Sequence, residues 1–487
     1  MHQRIGLFLG AGVFFLLLCL PAPSGMSAAA WKSSALLALM ATWWLSEAIP
    51  IFATALLPIV LLPVLEISPI KDATAPYANP VIFLFMGGFF IALAIEAHGL
   101  HRRIALWLLS KVSPSPSWII GGFMCVTGFI SMWVSNSATT LMMLPIGQSV
   151  VEQVMCEEPN ESLRKNFSAA MMLGIAYSAS IGGLGTLVGT PPNALLVGFM
   201  NETYKVQLGF AQWAMMGIPL VCMSLPLSWL LMTRWILPLP NSSVQASRQA
   251  IQSQRALLGK MSKGEKLVSV VFVITVVLWM LEPWLNAWFP QISDAGIAIF
   301  GAMLLFLLPV DVQKGQLVLS LETARKLPFE VLILFGGGIS LAQAIQKSGL
   351  ATYVSQSLSG LSGVSIVFVV VVVSLTAIFA TEFIGNTALA ATLLPILAPV
   401  SVAMGENPYL LLLPATLGVS CAFMFPVGTP PNAIVYASGY ISMPQMARTG
   451  FWLNMLLAVL ITLSVLVLAP LVFDIQLGVL PDWAIKK

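Results

Sequence analysis

Two six-residue stretches of this chain are identical: Gly189–Ala194 and Gly428–Ala433 both read GTPPNA. Each lies inside an apolar run. Two prolines and a glycine there must break a helix, because proline lacks the N–H and its ring clashes with the preceding turn. Non-helical backbone at membrane depth is tolerated only where it is buried in protein or lines a cavity. We therefore expect unwound helices near 189–193 and 428–432. Two polar triplets accompany them, Ser135-Asn136-Ser137 and Gly385-Asn386-Thr387, at the midpoints of the long apolar runs 117–151 and 363–404. Each run has the length of two short helices, so each reads as a re-entrant helical hairpin with the triplet at its tip. At such a tip the last carbonyls of the first arm, with Ser and Asn side-chain oxygens, are hard ligands suited to a bare Na⁺. The first N–H groups of the second arm, with the Ser137 or Thr387 hydroxyl, can donate to an anion. The same residues also cap their own helices, and a cap facing a cavity keeps hydrogen-bonding capacity to spare.

The tips and the GTPPN segments contain no Lys, Arg or His. A carboxylate brought there finds no protein cation within those segments, and a bare charge at mid-membrane costs several kcal/mol. Cations bound at the same tips would supply the countercharge. The electrostatics thus favour cation-coupled anion transport. Glu47 and Glu382 are further intramembrane charges, without a cationic partner nearby in sequence, and we expect both to act as structural hydrogen-bonding groups. Trp43-Trp44 is expected to anchor its helix at the membrane interface.

The elements that hold these groups follow from composition. Of 487 residues 58% are hydrophobic and 8% charged, against about 25% charged in soluble proteins. Mean hydropathy is +0.93. A soluble enzyme, a nucleic-acid binder and a disordered chain are excluded, and the net charge of +3 is too small to indicate acidic partners. The chain carries no HExxH, GxSxG or Walker motif, which argues against a membrane enzyme. Its five cysteines, scattered without a CxxC, read as small hydrophobes, and no cofactor is expected.

A helix needs about 20 mostly apolar residues to cross a bilayer. Apart from the hairpins, such stretches run near 4–21, 33–49, 51–66, 80–97, 167–200, 210–238, 266–289, 294–310, 328–346, 408–440 and 449–473. The fold class is therefore an all-α polytopic membrane protein of about eleven transmembrane helices plus two re-entrant hairpins. The first stretch reads as a retained span, being long for the apolar core of a signal peptide. An odd number of crossings puts the termini on opposite sides. With the N-terminus in the cytoplasm, sixteen of the 22 basic residues lie inside and only Lys32, Lys71, Lys205, Lys347, Lys486 and Lys487 outside, as the positive-inside rule requires.

The chain is also duplicated. Leu84–Leu100 and Leu334–Leu350 are identical at nine of 17 positions at an offset of 250, and the same offset carries Ser131 onto Thr381, Asn136 onto Asn386 and Pro145 onto Pro395. The crossings between the repeat starts are odd in number, so the repeats are expected to face opposite ways, an architecture common in secondary transporters. The expected organisation is a first unit over 1–238, a cytoplasmic linker over 239–265, and a second unit over 266–487.

With Trp43-Trp44-Leu45-Ser46-Glu47-Ala48-Ile49-Pro50, the Asn-centred tips and the paired GTPPN segments, the chain resembles the divalent anion/sodium symporter family over essentially its whole length. That family includes Na⁺-dependent dicarboxylate and citrate carriers, sulfate carriers and some dicarboxylate exchangers. The resemblance implies a homodimer in the plasma (inner) membrane, with scaffold and transport domains each built from both halves and an elevator movement of the transport domain. It implies a first Na⁺ site at Ser131, Ser135, Asn136 and Gly189, and a second at Thr381, Ile384, Asn386 and Gly428. Substrate carboxylates would meet Ser135, Asn136, Ser137, Gly385, Asn386 and Thr387. Family tips read Ser-Asn-Thr; here the second begins with Gly385, which removes one hydroxyl and bears on which anion is carried. The expected activity is Na⁺-coupled symport of a C4-dicarboxylate or a related di- or tricarboxylate such as succinate or citrate. A dicarboxylate exchanger or a sulfate carrier on the same fold is the alternative, and an exchanger should replace a Na⁺ by a fixed basic group, which these tips lack.

Overall fold

The computed structural model describes residues 2–485 apart from 114, 158–159, 240–244, 359 and 361–362. It is helical almost throughout; the strands among the described residues are Pro309–Asp311 and Gln316–Leu317, a short antiparallel pair. Except at their ends, helices satisfy their backbone groups within one segment, which lipid demands. Among the described residues six are long and apolar enough to cross a membrane: Ile70–Ala97, Phe210–Ile236, Lys263–Leu285, Phe329–Lys347, Asn386–Ala403 and Met443–Phe473. Six shorter apolar helices accompany them, among them Pro116–Ser131 and Ile366–Ala380.

Both expected hairpins break where the triplets fall. The first has arms Pro116–Ser131 and Asn136–Glu157; the second has arms Ile366–Ala380 and Asn386–Ala403. Each second arm begins at the tip asparagine, so its unpaired N–H groups lie at the tip. The second arm of the second hairpin is also long enough on its own to span.

The GTPPN segments interrupt their helices as the prolines require. Seven residues separate the end of Glu161–Gly183 from the start of Pro191–Tyr204; Tyr409–Gly418 ends well before Pro430–Tyr436 begins. In both copies the first proline is the first helical residue, where its missing N–H costs nothing. The threonine before it is extended in both, with φ −146° at Thr190 and −154° at Thr429.

Close packing of small residues fixes the broken helices against the hairpins. From Phe167 to Gly183 the first broken helix is buried on all sides, the mark of a core helix. A side chain at Gly182 would collide with the backbone of Gly128 on the first hairpin arm, so glycine lets the two backbones touch there. In the second half Gly450 plays the same part against the backbone of Phe423.

One expectation is corrected. Trp44 is fully buried and its Nε1 donates to the Ile51 carbonyl at 3.1 Å, while Trp43 Nε1 donates to Leu7 O at 3.2 Å. The pair ties helix Ala28–Ser46 to its neighbours rather than anchoring it at an interface, because the first helix, His2–Cys19, packs along that face. Part of the linker lies outside the described residues. Its helix Gln245–Leu257 leads to a turn held by Arg103, whose guanidinium bonds the carbonyls of Leu258, Gly259 and Lys260 and pairs with Glu265 at 2.6 Å. Cys19, Cys125, Cys222 and Cys421 are free thiols; the side chain of Cys156 lies outside the described residues.

Candidate functional site

Both tips and both GTPPN segments line one cavity of about 700 Å³. From the first half come Ser135, Asn136, Ser137 and Gly189; from the second come Gly385, Asn386, Thr387 and Gly428. Residues 239 to 250 apart in sequence thus meet across a single space. Ser131 and Thr381 are fully buried behind the tips.

Behind the first tip the Ser131 hydroxyl donates to Asn136 Oδ1 at 2.7 Å. Asn136 Oδ1 and the Gly189 carbonyl lie 2.8 Å and 3.2 Å from one point, the position a Cβ on Gly183 would take. Three oxygens expected to hold a cation are therefore gathered at the foot of the tip. At the second tip Thr381 Oγ1 lies 2.8 Å from Asn386 Oδ1 and 3.4 Å from the Ile384 carbonyl. In both clusters a hydroxyl five residues before the asparagine bonds its side-chain oxygen.

The asparagine of each GTPPN segment fixes the unwound backbone. Asn193 Nδ2 donates to the carbonyls of Gly183 and Thr186 at 3.1 Å and 2.8 Å. Asn432 Nδ2 does the same to Ala422 and Phe425, both at 3.0 Å. Each amide bridges carbonyls ten and seven residues earlier, so the duplication extends from sequence to hydrogen bonding.

The capping of the second arms differs. Ser135 Oγ accepts from the Ala138 N–H at 3.3 Å, whereas Gly385 offers no side chain to the corresponding turn. The second tip therefore presents an N-terminus with no side-chain cap, where an anion can take the place of the missing oxygen.

A family profile described as the sodium:sulfate symporter transmembrane region matches residues 2–475. The sodium-dependent dicarboxylate transporter SdcS of Staphylococcus aureus strain USA300 is 41% identical over 98% of this chain and 93% of its own length. The chain belongs to the divalent anion/sodium symporter family. This family member is a polytopic membrane transporter and not an enzyme. Among solved structures it is similar to the YdaH transporter of Alcanivorax borkumensis, with TM-score 0.53 and 13% identity over 97% of both chains. It is similar too to MtrF of Neisseria gonorrhoeae, with TM-score 0.56 and 14% identity over 96% of this chain and 94% of that one. At those identities the likeness concerns the fold alone.

The structure adds what the sequence reading lacked at three residues. Glu382 does act through hydrogen bonds, with partners no spacing could reveal. Its carboxylate accepts from the N–H groups of Phe423, Met424 and Phe425 at 2.7–3.1 Å and from Asn454 Nδ2 at 2.7 Å. It thereby clamps the unwound segment leading to Gly428. Glu47 lines the cavity and its carboxylate makes no hydrogen bond among the described residues, which corrects the structural role expected of it. Lys326 also joins the lining, so the cavity has a basic residue although the tips do not. Lys326 is exposed and makes no ion pair among the described residues.

Proposed function

We propose that this protein is a Na⁺-coupled symporter of C4-dicarboxylates or related di- and tricarboxylates. The observation that carries the reading is the meeting of two matched tips in one cavity. Each tip pairs a cluster of neutral oxygens, suited to Na⁺, with a helix N-terminus suited to a carboxylate. The 41%-identical relative is a sodium-dependent dicarboxylate transporter, which agrees with it. Ser131, Ser135, Asn136 and Gly189 would hold one Na⁺, and Thr381, Ile384, Asn386 and Gly428 a second. Ser135, Asn136, Ser137, Gly385, Asn386 and Thr387 would receive the substrate's carboxylates. Asn136 and Asn386 belong to both sets. Binding of cation and anion is then linked through them, and each raises the affinity for the other.

The working unit is a homodimer in the plasma membrane, with eleven spans and two re-entrant hairpins per protomer. The N-terminus is cytoplasmic and the C-terminus outside. Residues 1–238 and 266–487 form the inverted repeats joined by the linker 239–265, and each contributes to a scaffold and to a transport domain that carries both tips as an elevator. Exchange of dicarboxylates is the second reading, favoured by Lys326, a fixed basic group in the cavity wall. Uptake of labelled succinate, citrate and sulfate into proteoliposomes under an inward Na⁺ gradient tests the substrate class. Succinate should accumulate; accumulation of sulfate alone would overturn the assignment.

A further inference from the structure

Glu47 ends helix Ala28–Ser46 in the left-handed conformation, φ 47° and ψ 41°, with its N–H bonded to the carbonyls of Trp43 and Trp44. Trp44, buried and tied to Ile51, holds that corner in place. The side chain leaves it toward the cavity, and Glu47 Oε1 lies 3.4 Å from where a Cβ on Gly385 would stand. Its carboxylate has no hydrogen-bond or ion-pair partner among the described residues. An unpaired carboxylate beside an anion-binding tip governs what approaches that tip. The other charged groups of the lining are Glu96 and Lys326.

We propose that Glu47 and Gly385 together set the substrate preference, selecting a 2-hydroxydicarboxylate over its unsubstituted parent and over a tricarboxylate. This rests on the tips being the anion site. An ionised carboxylate accepts hydrogen bonds and donates none. A dicarboxylate bridging the tips presents its chain carbons to the space between them. A hydroxyl on the carbon next to the carboxylate held at Gly385, Asn386 and Thr387 meets Glu47 as a donor. A methylene there leaves Glu47 without a partner, and a third carboxylate meets a like charge. Glycine at 385 is required for this reading. A serine at 385 would bring its own hydroxyl within reach of Glu47 and occupy the acceptor.

A hydrogen bond to a charged group corresponds to roughly ten- to hundred-fold in affinity. The test is competition against labelled succinate uptake by the full-length protein in proteoliposomes, using unlabelled succinate, L-malate and citrate under a fixed Na⁺ gradient. In the natural protein malate should compete at least about tenfold better than succinate, with citrate the weakest. Glu47→Gln keeps the shape and loses the charge, so malate's advantage should fall to about threefold or less, because a neutral acceptor makes the weaker bond. Citrate should improve. Gly385→Ser should abolish malate's advantage over succinate. An unchanged ranking in both variants would overturn the proposal, as would a Glu47→Gln that shifts Na⁺ activation and leaves the anion ranking alone, which would make Glu47 a cation ligand. Failure of the natural protein to carry any dicarboxylate is a different result, and would remove the site reading along with this one.

Discussion

Glu382→Gln tests the link between the buried clamp and cation binding. The carboxylate serves four donors with two oxygens: Oε1 takes Phe423 N at 2.7 Å and Asn454 Nδ2 at 2.7 Å, Met424 N is shared, and Oε2 alone takes Phe425 N at 3.1 Å. Glutamine can keep the Oε1 bonds, but its NH₂ then faces the Phe425 N–H, donor against donor. One charge-assisted bond is lost, worth about 1.5–3 kcal/mol. Phe425 is also the hub of the unwound segment, its carbonyl accepting from Gly428 N at 3.2 Å and from Asn432 Nδ2 at 3.0 Å. Loosening it should move the Gly428 carbonyl assigned to the second Na⁺. If about 1.4 kcal/mol of the loss reaches that site, Na⁺ affinity falls about tenfold. The assay is succinate uptake against external Na⁺ in proteoliposomes, beside a thermal unfolding curve of the purified protein. The half-activating Na⁺ concentration should rise several-fold and the unfolding temperature should drop. A lower unfolding temperature with an unchanged Na⁺ curve would refute the coupling and leave Glu382 a purely structural residue.

Further outcomes follow from the same geometry. Asn136→Ala or Asn386→Ala should weaken succinate affinity and Na⁺ activation together, since linked sites respond reciprocally; a Na⁺ dependence that survives Asn136→Ala would remove that residue from the first cation site. Lys326→Gln should lower uptake at limiting succinate by about threefold or less at physiological salt, because an exposed charge is screened. Loss of transport in that variant would support exchange over symport. In a background without native cysteines, Ser117→Cys should react with a membrane-impermeant reagent from the cytoplasm and Ser362→Cys from outside, although Ser362 itself lies outside the described residues. Labelling of both from one side would contradict the inverted repeat.

Much of the site was legible because membrane burial restricts what polar residues can do. Proline pairs in apolar runs have few uses, and their repetition with asparagine-centred triplets marked the groups that the fold brings together. The helix breaks fell where the prolines and triplets stood. What could not be read depends on contacts between distant segments. Glu382 meets partners 41–43 and 72 residues away, and Glu47 faces Gly385 across 338 positions of the numbering. Neither separation has a local periodic signal. Lys326 stands in the turn before Phe329–Lys347, and nothing in its sequence neighbourhood marks it as lining the cavity. Trp44 was misread because its apolar ring and N–H suit an interface and a buried tie equally well.

The central claim is that a Na⁺ gradient drives the anion through this cavity. The direct measurement is initial uptake of labelled succinate into vesicles that contain no dicarboxylate, with inward Na⁺ against equimolar choline. The account predicts uptake several-fold faster in Na⁺, with accumulation above equilibrium that collapses when the gradient is dissipated. Equal rates in Na⁺ and choline, with uptake appearing only after succinate is loaded inside, would contradict it and identify the protein as an exchanger.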